Sequence, residues 1–455
     1  MFVEALCVWC LDRFSIITES TGLEDVDGLV PFWVILETLL KNPVSIPTQL
    51  IELLDTIAVL LRQSSGPAGD FVLLRDFLSS HHEVFFGECW PSIVEAALEM
   101  PLLFPQGRLP LLQREVSTQH LSLTKKQVSC LVAHQFLCTL PQPQWRDECY
   151  DFSIWYSNHQ RHPQACRIYL TSLMEYFKTL RDDIVLSLSL SENWEVSYHL
   201  HAGASLELPR LDCRLCPVEV ALVNNYDTTP DSLGLPDGAA VVSANKFIGF
   251  GQSATQEEIH VGVTPEACPA VLFTPPLEDD QILVVKGASA ILNVVGQRRD
   301  LRIGDILPRQ LDASIWQERV MLFMDALELD LASDEDGLPD LRPECIDREL
   351  RKAYLSFYSG RYHNVISPFW GCGAFGGDPG VKMLLLWCAA SLAQTSLKIV
   401  CDEQLHGTGR DLKKAIGILR EQCGTVEGVL RMVRSMPKHL KRLETLSWII
   451  SEWTS

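Results

Sequence analysis

The chain has 455 residues, of which 47% are hydrophobic and 21% charged, and its formal net charge is -20. This composition is typical of a globular protein of roughly two to three domains. The acidic balance argues against direct binding to duplex DNA, which requires a basic face. The longest apolar run, residues 29–40, carries Glu37 and is too short to span a membrane.

Residues 1–180 have the pattern of a helical domain. Apolar side chains recur at three- and four-residue spacing in the ranges 51–61, 94–103, 127–140 and 163–180. Asp70 is a candidate N-cap for a helix that follows it. We therefore predict an all-helical N-terminal accessory domain over residues 1–180.

From residue 181 onward, strand and helix patterns alternate. Residues 184–190 alternate apolar and polar side chains, as in a strand with one buried face. Further strand-length apolar runs occupy 220–223, 239–242, 281–285, 319–324 and 397–401, with helical patterns from 264, at 345–358 and at 381–393. Residues 224–238 are rich in Asp, Pro and Gly, which indicates a surface loop. The alternation predicts an α/β layer structure over residues 181–455, with parallel strand pairings.

The fifteen cysteines are scattered, and several lie in apolar runs where a thiol packs as a small hydrophobe. The start of the chain lacks the basic leader of a secretory signal, which favours reduced intracellular thiols. Two C-x-x-C pairs, Cys7 with Cys10 and Cys213 with Cys216, could together bind zinc. They are far apart in the sequence, so structural cysteines are the favoured interpretation and no metal is expected.

Two stretches concentrate residues that are suited to chemistry. Residues 243–258 bring Asn245, two glycines and the pair Glu257 and Glu258 close together, and residues 369–378 form a glycine-rich segment ahead of a helical pattern. Glycine lets the backbone approach a phosphate without a Cβ clash. A partly desolvated glutamate beside a second carboxylate has a raised pKa, which keeps a proton available near neutrality. Together the stretches predict a site for a phosphate-bearing ligand with a carboxylate nearby.

These segments resemble the poly(ADP-ribose) glycohydrolase family. The resemblance rests on Ala244-Asn-Lys-Phe-Ile-Gly249, Gln256-Glu-Glu-Ile259, Met324-Asp-Ala-Leu327 and Trp370-Gly-Cys-Gly-Ala-Phe-Gly-Gly-Asp378, in that order. It implies a macrodomain-like mixed sheet flanked by helices, preceded by the helical accessory domain. It also implies hydrolysis of the ribose–ribose O-glycosidic bond of poly(ADP-ribose).

The resemblance implies roles for particular residues. Glu258 would be the general acid that protonates the departing ribose oxygen, and Glu257 would hold ribose hydroxyls near the scissile bond. Asn245 and Gln256 would contact the ligand, and Gln297 stands where the family has a substrate-side tyrosine. Two loops would bind the ligand, and the residues that line them are Gly249, Gly251, Phe369, Trp370, Gly371, Cys372, Gly373 and Ala374.

The expected partners are poly(ADP-ribose) or ADP-ribosylated proteins. The chain is expected to act as a monomer in the nucleus, the cytoplasm or both, without a metal or redox cofactor and without membrane association. These expectations come from the resemblance and the composition together.

The sequence departs from the family pattern at the ligand. Phe250 interrupts a run of glycines, and Gln297 lacks an aromatic ring, so each lost stacking contact would weaken binding by about 1 kcal/mol. An inactive ADP-ribose-binding or interaction protein is therefore the alternative to a divergent hydrolase. Glu257 and Glu258 could also be a solvated helix face, and Trp370 and Phe375 could be core residues, although ligand contact is slightly favoured for both rings.

A nicotinamide enzyme is a further alternative. Residues 371–376 match the G-x-G-x-x-G pattern, but only a short apolar pair precedes them where a full strand is required. The pattern is therefore weak support for dinucleotide binding.

Overall fold

The computed structural model describes residues 5–7, 15–17, 29–62, 70–113, 118–185, 194–203, 206–307, 313–330 and 337–453. Their strands are β1 (Ala5–Cys7), β2 (Ser15–Ile17), β3 (Leu29–Pro31), β4 (Arg108–Pro110), β5 (Thr118–Thr124), β6 (Glu195–Ala202), β7 (Val218–Leu222), β8 (Ala239–Ala244), β9 (Gln281–Lys286), β10 (Leu292–Val295), β11 (Arg302–Ile306), β12 (Val320–Asp325), β13 (Asn364–Ser367) and β14 (Ser396–Cys401).

The α-helices of these residues are α1 (Phe32–Lys41), α2 (Pro47–Arg62), α3 (Val72–Ser80), α4 (His82–Val84), α5 (Trp90–Leu98), α6 (Met100–Leu103), α7 (Lys125–Phe136), α8 (Pro163–Val185), α9 (Gln256–Gly262), α10 (Ala270–Phe273), α11 (Ala313–Gln317), α12 (Pro343–Tyr358), α13 (Pro379–Ala393), α14 (His406–Gln422), α15 (Val426–Ser435) and α16 (Thr445–Glu452). A π-helical turn, Phe85–Cys89, joins α4 to α5.

An eight-stranded mixed sheet organises the second half, in the order β5-β6-β9-β12-β8-β13-β14-β7. β8 pairs in parallel with β12 on one side and with β13 on the other. The strands β13, β14 and β7 continue the parallel part, whereas β9, β6 and β5 pair antiparallel. Because parallel strands end at the same edge, the segments that follow β12, β8 and β13 are brought together there.

The central strands are apolar on both faces because helices cover both. β12 is buried along its whole length, and β8 is buried at every residue except Ser243. Along β8, Val242 belongs to the core shared with the helical first half, whereas Val241 belongs to the core under α12 to α15. Continuous apolar runs of this kind are the signature of strands buried in parallel sheets.

The helical first half shares its core with the sheet. One hydrophobic cluster extends from Phe32 in α1 to Phe323 in β12. In addition, β5 comes from the first half and pairs with β6 at the edge of the main sheet. The two parts of the chain are therefore joined by packing and by strand pairing.

Most of the predicted elements are confirmed. The predicted helices correspond to α2, α5 with α6, α7, α8, α12 and α13, and the predicted strands to β7, β8, β9, β12 and β14. The helix predicted to run to residue 140 ends at Phe136. The strand predicted at 184–190 is wrong at its start, because residues 184 and 185 close α8, and its remainder lies outside the described residues.

The helices that the structure describes include none with the length and apolar character needed to cross a bilayer.

Candidate functional site

The two predicted stretches meet at the carboxyl ends of β8 and β13. Asn245 directly follows β8, and the glycine-rich segment follows β13. Ser243 connects them, because its backbone N–H donates to Gln256 Oε1 at 2.7 Å while its hydroxyl accepts from Gly371 N–H at 3.4 Å. The start of α9 and the glycine-rich segment are thus both bound to one residue near the end of β8.

Glu257 braces the turn that follows β8. Its side chain is 6% exposed, and its two carboxylate oxygens accept from Asn245 N–H at 2.9 Å and Gly249 N–H at 2.7 Å. Burial raises the pKa of Glu257, and the two amide hydrogen bonds oppose that shift. Because both of its oxygens accept hydrogen bonds from backbone N–H groups, the Glu257 carboxylate fixes the conformation of the turn.

Glu258 is the more accessible of the two carboxylates. Thr255 caps α9, and the Glu258 side chain returns to complete the capping box, with Oε2 accepting from Ser253 N–H at 2.8 Å and Thr255 N–H at 3.0 Å. Oε1 has no hydrogen-bond donor among the described residues, and it lies against Gly251. Burial raises the pKa of Glu258, opposed by the same backbone amides.

The helical first half holds the turn at residues 247–251. Arg146 is buried and donates to the carbonyl oxygens of Phe247 at 2.9 Å and Ile248 at 2.5 Å. Trp155 Nε1 donates to the Gly251 carbonyl at 2.7 Å. The Phe250 ring is buried against Trp155 and Phe152, with ring centroids 5.2 Å from each. Phe250, the residue that departs from the glycine pattern, therefore fastens this turn to the helical half.

Gly249 is the strained position of this turn. Its φ is +135°, a value that an L residue rarely adopts, and a Cβ there would collide with Val271. Glycine is therefore required by the backbone here. The prediction that the Gly249 amide lines a diphosphate site is wrong, because that N–H donates to Glu257.

The C-terminal part of the chain holds the glycine-rich segment. Arg442 donates from Nη2 to the Cys372 carbonyl at 2.6 Å and from Nε to the Gly377 carbonyl at 3.1 Å. Asp378 is fully buried, caps α13 through Val381 N–H, and accepts from Leu443 N–H at 2.8 Å. The segment is thus anchored at its beginning and its end.

The middle of the glycine-rich segment faces solvent. Gly373 and Ala374 are exposed, and their N–H groups donate to no acceptor within the described parts of the chain. Gly371 and Gly376 have φ near +72° and +71°, which lets the backbone turn outward at both ends. These two exposed amides are the part of the segment that an anionic group could approach.

The aromatic side chains of this segment are core residues. The Trp370 ring is fully buried and its Nε1 donates to the Met324 carbonyl at 2.9 Å, while Phe369 and Cys372 are each 8% exposed. The expected ligand contact through the Trp370 ring is therefore wrong, and the ring supports the segment from below. Phe375 is half-buried at the margin of the same core.

A buried charge network lies beneath the glycine-rich segment. Asp325, at the end of β12, accepts from Arg348 Nη2 at 2.6 Å and also forms an ion pair with Lys352. Glu349 accepts from Lys382 at 2.5 Å, and the Lys382 ammonium lies 5.2 Å from the Trp370 ring centroid. Since each buried charge has a partner, the network fixes the end of β12 and the floor of the segment.

Gln256 is oriented by a second buried contact. Its Nε2 donates to the Val241 carbonyl at 3.0 Å and to the Tyr226 hydroxyl at 3.2 Å, and that hydroxyl also contacts His260. Tyr226, Gln256 and Pro368 line a cavity with room for about one water molecule. Gln256 is therefore held between β8 and the loop that joins β7 to β8.

Gln297 lies on the Glu258 side of the site. It follows β10 and precedes Arg298, whose N–H donates to the Ala254 carbonyl at 3.3 Å. That places the Gln297 turn beside the segment that binds Glu258 Oε2. The ligand contacts predicted for Gln297 and for Asn245 stay predictions.

Nothing in the sequence marks Arg146, Arg442 or Tyr226 as site residues. Arg146 contacts a residue 101 positions away, and Arg442 contacts one 65 positions away. No local spacing or motif marks such contacts. The only signal in the sequence is that Arg146 lies between Trp145 and a run of polar residues, which does not distinguish it from a surface arginine.

No group of three or more His, Cys, Asp or Glu side chains among the described residues is arranged to hold a metal ion. The cysteines from Cys89 to Cys423 are free thiols. Cys10 lies outside the described residues, so its pairing with Cys7 stays untested.

Two family models match the chain in the order of its two parts. Residues 77–192 match the model described as Poly (ADP-ribose) glycohydrolase (PARG), helical domain, and residues 230–407 match Poly (ADP-ribose) glycohydrolase (PARG), Macro domain fold. The expected macrodomain-like mixed sheet with a helical domain before it is thereby confirmed.

The chain is also similar to individual curated proteins. Poly(ADP-ribose) glycohydrolase 2 of Caenorhabditis elegans is 29% identical over an alignment of 170 residues that covers 34% of this chain and 35% of that protein. Probable poly(ADP-ribose) glycohydrolase 2 of Arabidopsis thaliana is 20% identical over an alignment of 378 residues that covers 68% of this chain and 70% of that protein. The match thus spans about a third of the nematode relative's length. The two family models and these relatives show that the chain belongs to the poly(ADP-ribose) glycohydrolase family.

Proposed function

We propose that this chain hydrolyses ribose–ribose O-glycosidic bonds of poly(ADP-ribose) and releases ADP-ribose, with Glu258 as the general acid. The observation that carries the proposal is the state of the Glu258 carboxylate. Two backbone amides fix Oε2, while Oε1 accepts no hydrogen bond from the described residues. A fixed carboxyl group with one oxygen available can present a proton in a defined direction.

The chemistry assigns that proton to the leaving group. Cleavage passes through an oxocarbenium-like state, in which the bond from the anomeric carbon to the departing ribose oxygen breaks. Glu258 would donate its proton to that oxygen. Water would then add to the anomeric carbon and give its proton to the Glu258 carboxylate, which restores the acid. Because burial raises the pKa of Glu258, more of the acid form is present near neutrality than at an exposed glutamate.

The two anchored segments supply the binding surface of this proposal. The exposed N–H groups of Gly373 and Ala374 would donate to the diphosphate, since backbone amides with no internal acceptor favour an anionic group. Asn245 would contact the adjoining ribose. Glu257 supports this arrangement indirectly, because it holds the Asn245 and Gly249 backbone in place.

Incubation of the purified chain with labelled poly(ADP-ribose) tests the proposal. The wild type should release ADP-ribose, and Glu258→Gln should lower the rate by at least about a hundredfold because Gln cannot donate the proton. Glu83→Gln, an exposed glutamate in the helical half, is the matched control and should retain the wild-type rate. No release by the wild type, or equal rates for wild type and Glu258→Gln, would refute the assignment.

A second candidate function is ADP-ribose binding without turnover. It is favoured by the loss of ring contacts, since Trp370 is buried and Gln297 has no aromatic ring. The hydrogen bonds that Glu258 accepts from two amides also favour its ionised, inactive form. Calorimetry distinguishes the two functions, because binding of ADP-ribose with no release from the polymer would support a binding module.

The expected monomeric state and the expected location in the nucleus or cytoplasm stay predictions. Sedimentation of the purified chain and imaging of a tagged chain in cells would test them.

A further inference from the structure

The far edge of the main sheet, at β7, has no partner strand among the described residues. β7 pairs in parallel with β14 on its inner side only, where Leu397 N–H donates to the Pro217 carbonyl and Val223 N–H donates to the Cys401 carbonyl. In a parallel pair the groups that face the partner belong to alternate residues. The N–H and C=O groups of Val218, Val220 and Leu222 therefore point away from the sheet.

A groove of about 590 Å³ runs between this edge and α14. Val220 and Ile416 are buried at its floor, and both belong to the core beneath the sheet. Gly417 lies on the helical wall, where a Cβ would have no neighbour within 4 Å. The groove thus combines an apolar floor, a gap in its wall and unpaired backbone groups along one side.

The charges on the helical wall are positive. Lys413 and Arg420 line the groove and are exposed, seven residues apart on α14 and therefore on nearly the same side of the helix. Arg420 also lies 5.8 Å from the Trp387 ring centroid, which restricts where its guanidinium can go. Leu222 contacts α14 near Gly409, so by strand alternation Glu219 projects from the opposite face of β7.

We propose that this groove binds an acidic peptide segment of a partner protein, which adds to β7 as an extra strand. The peptide backbone would pair with Val218, Val220 and Leu222, as in other cases of strand addition. Its side chains facing α14 would follow the pattern acidic-x-apolar-x-acidic. The apolar residue would sit over Ile416 beside Gly417, and the acidic residues would meet Lys413 and Arg420. The net charge of -20 repels an acidic segment at long range, so binding has to come from the local pair of cations.

Fluorescence anisotropy with a labelled peptide, Thr-Glu-Thr-Val-Thr-Glu-Thr, tests the proposal on the full chain. We expect saturable binding of this peptide and at least about tenfold weaker binding of Thr-Lys-Thr-Val-Thr-Lys-Thr. Equal affinity for the two peptides, or no binding of the acidic one, would overturn the proposal.

Two glycines of α14 provide matched variants. Gly417→Leu should fill the gap and weaken peptide binding by at least about tenfold. Gly407→Leu should leave binding unchanged, because Gly407 is also exposed, has no neighbour within 4 Å of a Cβ, and lies outside the groove. Gly407 lies in the first turn of α14 and Gly417 in its interior, so thermal unfolding of both variants is measured beside peptide binding. Equal effects of the two variants would contradict a site in this groove.

Charge reversal tests the roles of Lys413 and Arg420. Lys413→Glu combined with Arg420→Glu should reverse the preference toward the lysine peptide, whereas Lys414→Glu, on the same helix outside the groove, should keep it. If Lys414→Glu has the same effect as the double variant, long-range charge explains the binding and the proposal fails.

Strand addition is tested with two N-methylated forms of the acidic peptide, one methylated at odd and the other at even positions. Only alternate amides of an added strand pair with β7, so one form should lose binding and the other keep it. If both forms bind like the parent peptide, the groove holds a polyanion through charge alone. A chain that sediments as a dimer and becomes monomeric with Gly417→Leu would show that a second copy occupies the edge. Either result overturns the proposal.

Discussion

Gly251 shows how a single backbone position can control the proposed acid. A Cβ built there would lie 2.8 Å from Glu258 Cδ and still closer to Oε1. The carboxylate would have to leave its position, and a displacement of about 1 Å in a reacting group can cost about a hundredfold in rate. The absence of a side chain at this residue is therefore part of the geometry at Glu258.

We expect Gly251→Ala to lower the rate of ADP-ribose release by about a hundredfold while changing the free energy of unfolding by no more than about 1 kcal/mol. Steady-state rates and denaturant unfolding would measure the two quantities. Gly87→Ala is the control, because a Cβ at that helical position has no neighbour within 4 Å. Unchanged activity of Gly251→Ala would place the reacting group elsewhere.

The pH dependence of kcat/KM reports on Glu258. Because burial raises the pKa of Glu258 above its ordinary value of 4.5, kcat/KM should be level at low pH and fall as pH rises through the folded-state pKa. The Thr255 hydroxyl favours the ionised form, so Thr255→Val should raise the pKa further and move this fall to higher pH. A loss of stability alone would lower the rate at every pH without moving the fall.

At the scale of elements, two arginines from outside the sheet hold the two loops of the site. Arg146 holds the turn after β8, and Arg442 holds the glycine-rich segment after β13. The two arginines differ in exposure, since Arg146 is buried and Arg442 is exposed. Removal of Arg442 should therefore affect binding more than folding.

Arg442→Ala should weaken ADP-ribose binding by about tenfold, because the carbonyls of Cys372 and Gly377 lose their donor and the exposed amides between them become less ordered. Calorimetry would measure the affinity and a thermal scan the stability, which should change little. Lys441→Ala, the exposed neighbour, is the matched control. Equal affinity of Arg442→Ala and wild type would show that the segment needs no such support.

The sequence predicted the elements whose patterns are local. α13 and β12 each contain a long apolar run, and Asn245, Gln256 and Glu257 are near each other because they are near in the chain. β13 escaped prediction because it has only four residues. β6 was not predicted although its buried residues Val196, Tyr198 and Leu200 alternate as in a half-buried strand. The burial of Trp370 depends on a distant partner, the Met324 carbonyl, which no spacing within the segment encodes. The Gly249 amide has a partner only eight residues away, Glu257, but its contact depends on how the intervening turn folds.

At the scale of the whole molecule, the helical half shares a core with one face of the sheet. One cluster joins Phe32 to Phe323, and β5 pairs with β6 across the predicted boundary at residue 180. The boundary itself stays a prediction. Shared cores and shared strands make the unfolding of one part costly for the other.

We expect the chain to unfold in a single cooperative transition. Tryptophan fluorescence and far-UV circular dichroism should give coincident denaturation curves, because the tryptophans lie in both halves and the helices dominate the dichroism. ADP-ribose should shift both curves together. Two resolved transitions would show that the halves are energetically independent.

Because Phe250 is buried, the two loops of the site, which are the turn at residues 247–251 and the glycine-rich segment, are held in different ways. The turn at residues 247–251 is packed against the helical half by this aromatic side chain, whereas the glycine-rich segment exposes Gly373 and Ala374 between two glycines of positive φ. Adaptation to different ligands would then involve the glycine-rich segment. A library randomised at Ala374 and Phe375 should therefore change ligand preference, while the turn at residues 247–251 keeps the scissile bond in place.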